Sequence, residues 1–316
     1  MNSLIEHVDQ VTPEWLTSVL ERSGCLEQGK VITVNKRQSL RQGVSSDRFH
    51  LEIHYTDEVS KSAPVHLFLK IGKPEYFEGH KKEIDFYKIS EDVWMGLPIP
   101  HCFGAEYSSD SRTSYLLLQD LSKTHFELDT SLPLTKANCE RAIECLAKIH
   151  TFWWNHPRLG NDVGESITRD SFNQTIKYLE ECTVRFLNFL GDRLSKKRRE
   201  LYKFVLSSYP SLYLKCIDRG MPVTLIHGDA HLGNFMFPNE IETDTTLLLD
   251  WQAWRVDFGT RDLASMMALN WYPAQRQVME KSLLVHYHNK LLESDVRRYS
   301  WEECWLGYRV SVISNL

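Results

Sequence analysis

The spacing of apolar positions changes along this chain from a period of two to the longer period of helices. Thr12, Pro13 and Glu14 suit the cap, the first position and the positive end of a helix. Trp15, Leu16, Val19 and Leu20 then give that helix one apolar stripe, which Gly24 ends. Residues 31–55 read as strand, turn and strand: Gly43, Val44, Ser45 and Ser46 form the turn, and Phe49, Leu51, Ile53 and Tyr55 alternate. A third strand is predicted over 65–71, closed by Gly72 and Pro74, and a helix over 81–90 carrying Ile84, Phe86, Tyr87 and Ile89. Pro98 and Pro100 break the chain before a strand pair ending at 115–118. The first 120 residues are thus expected to form a small, mostly antiparallel sheet with one or two helices. From residue 137 the pattern is helical, over 142–152, 172–190 and 196–218. Short strands return at 223–226, 235–237 and 246–249, helices resume from Asp262, and no internal repeat is visible.

Composition narrows the class. With 316 residues, 42% of them hydrophobic and 25% charged, the chain has the material for two domains or one two-lobed domain with a real core. A net charge of −5 argues against a nucleic-acid binder that works by neutralising phosphates. The basic run Lys196, Lys197, Arg198, Arg199 is followed at once by Glu200 and reads as a solvated helix face. No stretch approaches the roughly 18 apolar residues of a membrane span, and the first residues lack the basic-then-apolar pattern of a signal peptide. Seven scattered cysteines with no Cys-x-x-Cys suit a reducing compartment, so the expected setting is the cytoplasm, without membrane or nucleic-acid partners. The last residues, Ile313 to Leu316, still read as apolar-periodic sequence with no stop signal, so a short or truncated C-terminus is expected.

The candidate chemistry lies between Leu225 and Phe237. Apolar residues deliver the polar loop His227-Gly228-Asp229-Ala230-His231-Leu232-Gly233-Asn234, after which the chain resumes as a strand. Asp229 and Asn234 are five residues apart, the spacing of Asp and Asn in the catalytic loop of protein kinases. Sixteen residues further on, the short strand 246–249 throws out Asp250, where a kinase places its metal-binding Asp. Transfer of a γ-phosphoryl group needs a metal to neutralise the triphosphate oxygens and a carboxylate to orient the attacking hydroxyl and take its proton. Asn234 and Asp250 supply hard oxygens suited to Mg²⁺, which leaves Asp229 for the acceptor. Each of these alone is an ordinary turn residue or helix cap; the joint spacing carries the reading.

Upstream, Lys70 ends an otherwise apolar strand, where its ammonium is costly unless it reaches an anion. Glu83 follows thirteen residues later on the next helix, as in the ion pair whose lysine holds the α/β-phosphates of a nucleotide; Lys73 and Glu78 are the alternatives. Residues 116–121 read as the strand into an inter-lobe hinge. Backbone groups from Gln119 to Leu121 are placed to meet an adenine edge, and Leu118 or Leu121 its face, the other reading being a plain linker. The amides of Ser45 and Ser46 are candidates to cover the phosphates, although the turn has a single glycine and any hairpin looks the same.

These residues resemble the aminoglycoside phosphotransferase and choline kinase-like superfamily, especially its ecdysteroid kinase-like branch. The likeness is carried by Leu69-Lys70, Glu83 with Phe86-Tyr87, Leu117-Leu118-Gln119-Asp120-Leu121 and Leu146-Ala147-Lys148-Ile149-His150 with Phe152-Trp153. His227-Gly228-Asp229 through Asn234, Leu249-Asp250-Trp251-Gln252 and the opening Thr12-Pro13-Glu14-Trp15-Leu16 complete it. The resemblance implies an α+β, protein-kinase-like bilobal fold. Residues 1–120 would be a nucleotide-binding lobe of antiparallel sheet plus helix, and 121–316 a mainly helical catalytic and acceptor-binding lobe. It implies an ATP- or GTP- and Mg²⁺-dependent phosphotransferase acting on a hydroxyl of a small molecule such as an aminoglycoside, a choline-like alcohol or a steroid. Asp229 would be the base, Asn234 and Asp250 the metal ligands, and Lys70, Glu83, Ser45, Ser46, Gln119 and Leu121 the nucleotide contacts. Asp262 matches a position that braces the catalytic loop, and His231 stands beside the base. The departures are the lone-glycine turn and the early C-terminus. Two other classes are weighed: an inactive nucleotide-binding protein of the same fold, and a transition-metal hydrolase built on His227, Asp229 and His231, which would leave Lys70 and Glu83 idle.

Overall fold

Period-two alternation in the first third of the chain becomes a five-stranded antiparallel sheet in order β1-β2-β3-β5-β4. The computed structural model describes residues 4–40, 43–90, 96–129, 135–240 and 245–315. Its strands are β1 (Val31–Gln38), β2 (Ser46–Tyr55), β3 (His66–Gly72), β4 (Cys102–Ser108), β5 (Thr113–Gln119), β6 (His125–Glu127), β7 (Thr224–Ile226), β8 (Phe235–Pro238), β9 (Leu247–Leu248) and β10 (Arg255–Asp257). Its helices are α1 (Pro13–Arg22), α2 (Phe77–Ile89), α3 (Lys136–Phe152), α4 (Arg169–Leu190), α5 (Lys196–Asp218), α6 (Thr260–Ala264), α7 (Pro273–Glu293) and α8 (Trp301–Ile313). They gather into two compact units, Met1–Asp129 with Gly233–Ala253, and Thr130–Leu232 with Trp254–Leu316. The sheet ends at Gln119, beside the sequence boundary at 120. The first unit nonetheless continues to Asp129 and takes in a later segment, because β6 pairs with β8 and β8 with β9.

In the first unit the pleat sorts side chains onto two faces. Leu51, Ile53, Leu67, Leu69, Ile71, Tyr115 and Leu117 share one core with Leu16, Val19 and Leu20 of α1. That helix begins as its sequence demands: the Thr12 hydroxyl accepts from the Trp15 N–H at 3.2 Å, and Pro13 opens the first turn. On the other face the register sets Arg48 opposite Lys70, His50 opposite Phe68, and Phe68 opposite Leu118. The helix predicted over 81–90 starts earlier, at Phe77, because Pro74 nucleates a short 3-10 turn that leads straight into it.

The second unit is mainly helical, with one strand pair, β7 and β10, among its described residues. Phe172, Tyr209, Tyr213, Cys216, Phe258 and Val310 form one of its cores, with Phe172 and Tyr213 stacked at 4.4 Å. The basic run opens α5: Lys196, Lys197 and Arg198 are exposed. Arg199 turns back to donate to the Gly191 carbonyl at 2.8 Å, closing the end of α4.

Gly72 at the end of β3 has no room for a side chain; a Cβ there would lie 2.6 Å from the His80 ring and against the Ser114 hydroxyl. Gly72→Ala should lower unfolding stability by about 1–3 kcal/mol through overpacking. Urea denaturation measures this, and an unchanged midpoint would contradict the packing described.

Candidate active site

Alternation along β3 turns Leu69 and Ile71 into the core and Lys70 to the opposite face. The Lys70 side chain is only 7% exposed, and an ammonium so placed must be compensated. Glu83, itself buried on α2, receives it with both oxygens at 2.8 and 2.7 Å, and Asp250 Oδ1 lies 3.3 Å away. Burial works against the charge, but the carboxylates of Glu83 and Asp250 overcome it and hold the Lys70 pKa above its ordinary value.

Asp250 is fixed by the strand before it and the turn after it. Phe235 pairs with Leu248, and the Leu249 N–H donates to the Asn234 carbonyl at 2.9 Å, so Asn234 and Asp250 emerge from neighbouring ends of one ladder. Asp250 sits at φ 66°, left-handed backbone that Asp tolerates better than most residues. Trp251 anchors the turn. Its indole donates to the Leu248 carbonyl at 3.1 Å and stacks on Phe86 of α2 at 3.8 Å, tying the Asp250 loop to the helix that carries Glu83.

Around these groups lies a cavity of about 590 Å³. Lys70, Glu83, Gln119, Leu121, Asn234 and Asp250 all line it, so six of the nine site residues expected from sequence come together. The Gln119 N–H bonds the His101 carbonyl, and the Leu121 carbonyl accepts from Thr124 and His125. Ser45 and Ser46 do not line the cavity. Ser46 is fully buried, while the Ser45 carbonyl accepts from Lys73 N–H at 2.9 Å and faces His80 Nε2 at 2.6 Å. Burial lowers the His80 pKa against the opposing pull of that carbonyl, so the ring is the neutral Nε2–H donor. The alternatives Lys73 and Glu78 lie off the cavity: Lys73 reaches toward Asp47 at 3.9 Å and Glu78 toward Arg112 at 3.9 Å. Sequence reasoning passed over Arg37, Arg48 and His50, which also line it. For Arg48 and His50 the signal was available in their alternation along β2 with the core residues Leu51 and Ile53.

Asp229 belongs to the second unit, where its loop is held from behind. The buried Asp262 carboxylate accepts from the His227 N–H at 2.7 Å and the Gly228 N–H at 2.8 Å, and its Oδ2 lies 3.2 Å from His150 Nε2. His150 Nδ1 in turn meets the Tyr287 hydroxyl at 2.8 Å. Gly228 turns at φ 83°, and the Asp229 N–H donates to His227 Nδ1 at 3.2 Å. The Asp229 side chain is left 58% exposed, with His231 Nε2 at 3.8 Å. Asp262 therefore braces the loop, as the resemblance implied. The zinc-type reading finds no support: His227 is fully buried and bonded to its own loop. Among the described residues, no group of three His, Cys, Asp or Glu side chains is arranged to hold a metal.

A sheet with Lys70 and Glu83 joined across to α2, and a helical unit bearing a braced His-Gly-Asp loop, define a protein-kinase-like fold. The family model described as the ecdysteroid kinase-like family matches residues 85–298, and the chain belongs to that family. Choline kinase from Cryptosporidium parvum Iowa II superposes with a TM-score of 0.58 at 12% identity, covering 89% of this chain and 81% of that one. The GDP complex of wild-type aminoglycoside 2'-phosphotransferase-IIIa gives 0.50 at 16% identity, covering 97% and 99%. At such identities the likeness is one of fold. No curated protein matches the sequence.

Asp262 supplies a pH test. Burial raises its pKa, but the bond and charge of His150, the charge of His227 and the Gly228 N–H outweigh it, so the carboxyl is held below its ordinary value. The stability it contributes is complete above its unfolded pKa of about 4 and is lost as pH falls through the lower folded value. Asp262→Asn places an amide N–H against a backbone N–H and should cost about 3–5 kcal/mol at neutral pH. Thermal melts should show a shallower loss of stability below about pH 4 in the variant; identical acid limbs would remove Asp262 from this role.

Proposed function

We propose that this chain is an ATP- or GTP- and Mg²⁺-dependent phosphotransferase that moves the γ-phosphoryl group to a hydroxyl of a small molecule, such as an aminoglycoside, a choline-like alcohol or a steroid. The observation that carries the reading is the buried Lys70 ammonium, gripped by Glu83 and facing Asp250 on the wall of the cavity. A pair serving only the fold gains little over apolar residues of the same size. A lysine held charged at a cavity wall is instead set to receive an anion.

In this reading the α- and β-phosphates lie against Lys70, which Glu83 orients. The adenine edge meets the Gln119 carbonyl and the Leu121 N–H, since the Leu121 carbonyl is already bonded. Leu118 and Leu121 supply apolar packing for the ring. Asn234 and Asp250 fit Mg²⁺, offering a neutral and a charged hard oxygen from adjacent strand ends. The ion would there neutralise charge on the phosphoryl oxygens. Asp229, exposed on its braced loop, orients the acceptor hydroxyl and takes its proton as the new ester bond forms. Seven free cysteines support a reducing, cytoplasmic setting. Among the described residues, no helix is long and apolar enough to cross a membrane.

Nucleoside diphosphate release over a panel of hydroxylated acceptors tests the activity; wild-type protein that binds ATP but releases none would leave the inactive binder. Lys70→Ala should weaken ATP binding while the protein stays folded. Asp229→Asn should bind Mg-ATP nearly as wild type yet transfer about 10²–10⁴-fold more slowly. Asp250→Asn should lose metal dependence, nucleotide affinity and turnover together. Calorimetric titration with single-turnover kinetics separates these patterns, and near-full transfer by Asp229→Asn would move the base elsewhere.

A further inference from the structure

The turn between β1 and β2 departs from the glycine-rich loops that wrap phosphates with backbone amides, for it has one glycine, Gly43, and its two serines do not reach the cavity. The space beside that glycine is taken by a side chain. A Cβ on Gly43 would lie 2.8 Å from Arg48 Nε and 2.9 Å from one of its terminal nitrogens. The Arg48 guanidinium is therefore folded back under the turn, with Nε 3.4 Å from the Ser46 hydroxyl. Register fixes its direction: Arg48 is the cross-strand partner of Lys70 in β2–β3, so both stand on the sheet face that lines the cavity.

We infer that Arg48 is a polyphosphate-binding residue of this site, replacing with one guanidinium the amides of a glycine-rich loop. The inference rests on the nucleotide reading above. Three lines of geometry support it. First, the side chain lines the same cavity as Lys70, Asn234 and Asp250, on the wall beneath the turn. Second, Arg48 and Lys70 stand directly opposite one another across β2 and β3, so an anion between them would be met by two cations. Third, a planar guanidinium offers several N–H donors in a fixed fork that matches phosphate oxygens, which a second lysine would not. Gly43 then has a specific reason to be glycine: it leaves room for the guanidinium rather than an amide for the ligand.

The test compares Mg-ATP, Mg-ADP and adenosine by isothermal titration on wild type, Arg48→Gln and Arg48→Lys, with circular dichroism melts to confirm folding. Loss of a charge-assisted hydrogen bond should weaken ATP and ADP binding about 10–100-fold in Arg48→Gln. Adenosine affinity should stay unchanged, and Arg48→Lys should fall between wild type and Arg48→Gln. Gly43→Ala, which crowds the guanidinium, should reproduce part of the loss for ATP and none for adenosine. If wild type binds ATP and Arg48→Gln binds it equally well, or if adenosine affinity falls in parallel, Arg48 has no phosphate role and the nucleotide reading stands without it. If wild type binds neither ATP nor ADP, the nucleotide reading fails and takes this inference with it.

Discussion

A buried ammonium has to be answered by negative charge, and much of the first unit is arranged around that requirement. Lys70 is on the cavity face only because Leu69 and Ile71 claim the core face, so the hydrophobic effect positions the cation. Electrostatics then demands Glu83 from α2 and Asp250 from the β8–β9 ladder. Segments nearly two hundred residues apart in sequence meet at one nitrogen. The Phe86–Trp251 stack makes the meeting rigid, because it joins the helix of one carboxylate to the turn of the other.

The Asp229 loop follows the opposite logic. Here the Asp229 carboxylate is left exposed and a different one, Asp262, is buried behind it. Asp262 is satisfied by two backbone N–H groups and a histidine, so its charge stiffens the loop without being offered to solvent. Gly259 allows the close approach, since a Cβ there would strike the Tyr287 hydroxyl and the His150 ring. Burying one carboxylate and exposing the other separates holding the loop in shape from facing solvent.

The residues whose placement follows from local rules were legible in the sequence. Strand β2 follows from alternation, β3 and β5 from short apolar runs, α1 from its cap, and Asp250 from a short apolar strand that ends in a carboxylate. Lys70 and Glu83 could be paired because a charge in an apolar strand needs a partner on the next element. What escaped depends on chain reversal at long range. Strand β6 is three residues with mostly polar character, and only its pairing with β8, more than a hundred residues later, makes it a strand. Ser45 and Ser46 had the composition of a phosphate-covering turn. The Ser45 carbonyl instead meets His80 of α2 and the Lys73 N–H, and the Ser46 hydroxyl meets Arg48.

The fold persists at 12–16% identity to a choline kinase and an aminoglycoside phosphotransferase. Physics explains why so little sequence is needed. A sheet core asks for apolar side chains of about the right volume at every second position, and many sequences meet that demand. The polar residues of the cavity have no such freedom: replacing Glu83 alone would strand the Lys70 ammonium, and replacing Lys70 alone would set two carboxylates against each other. Fold likeness of this kind therefore says little about function.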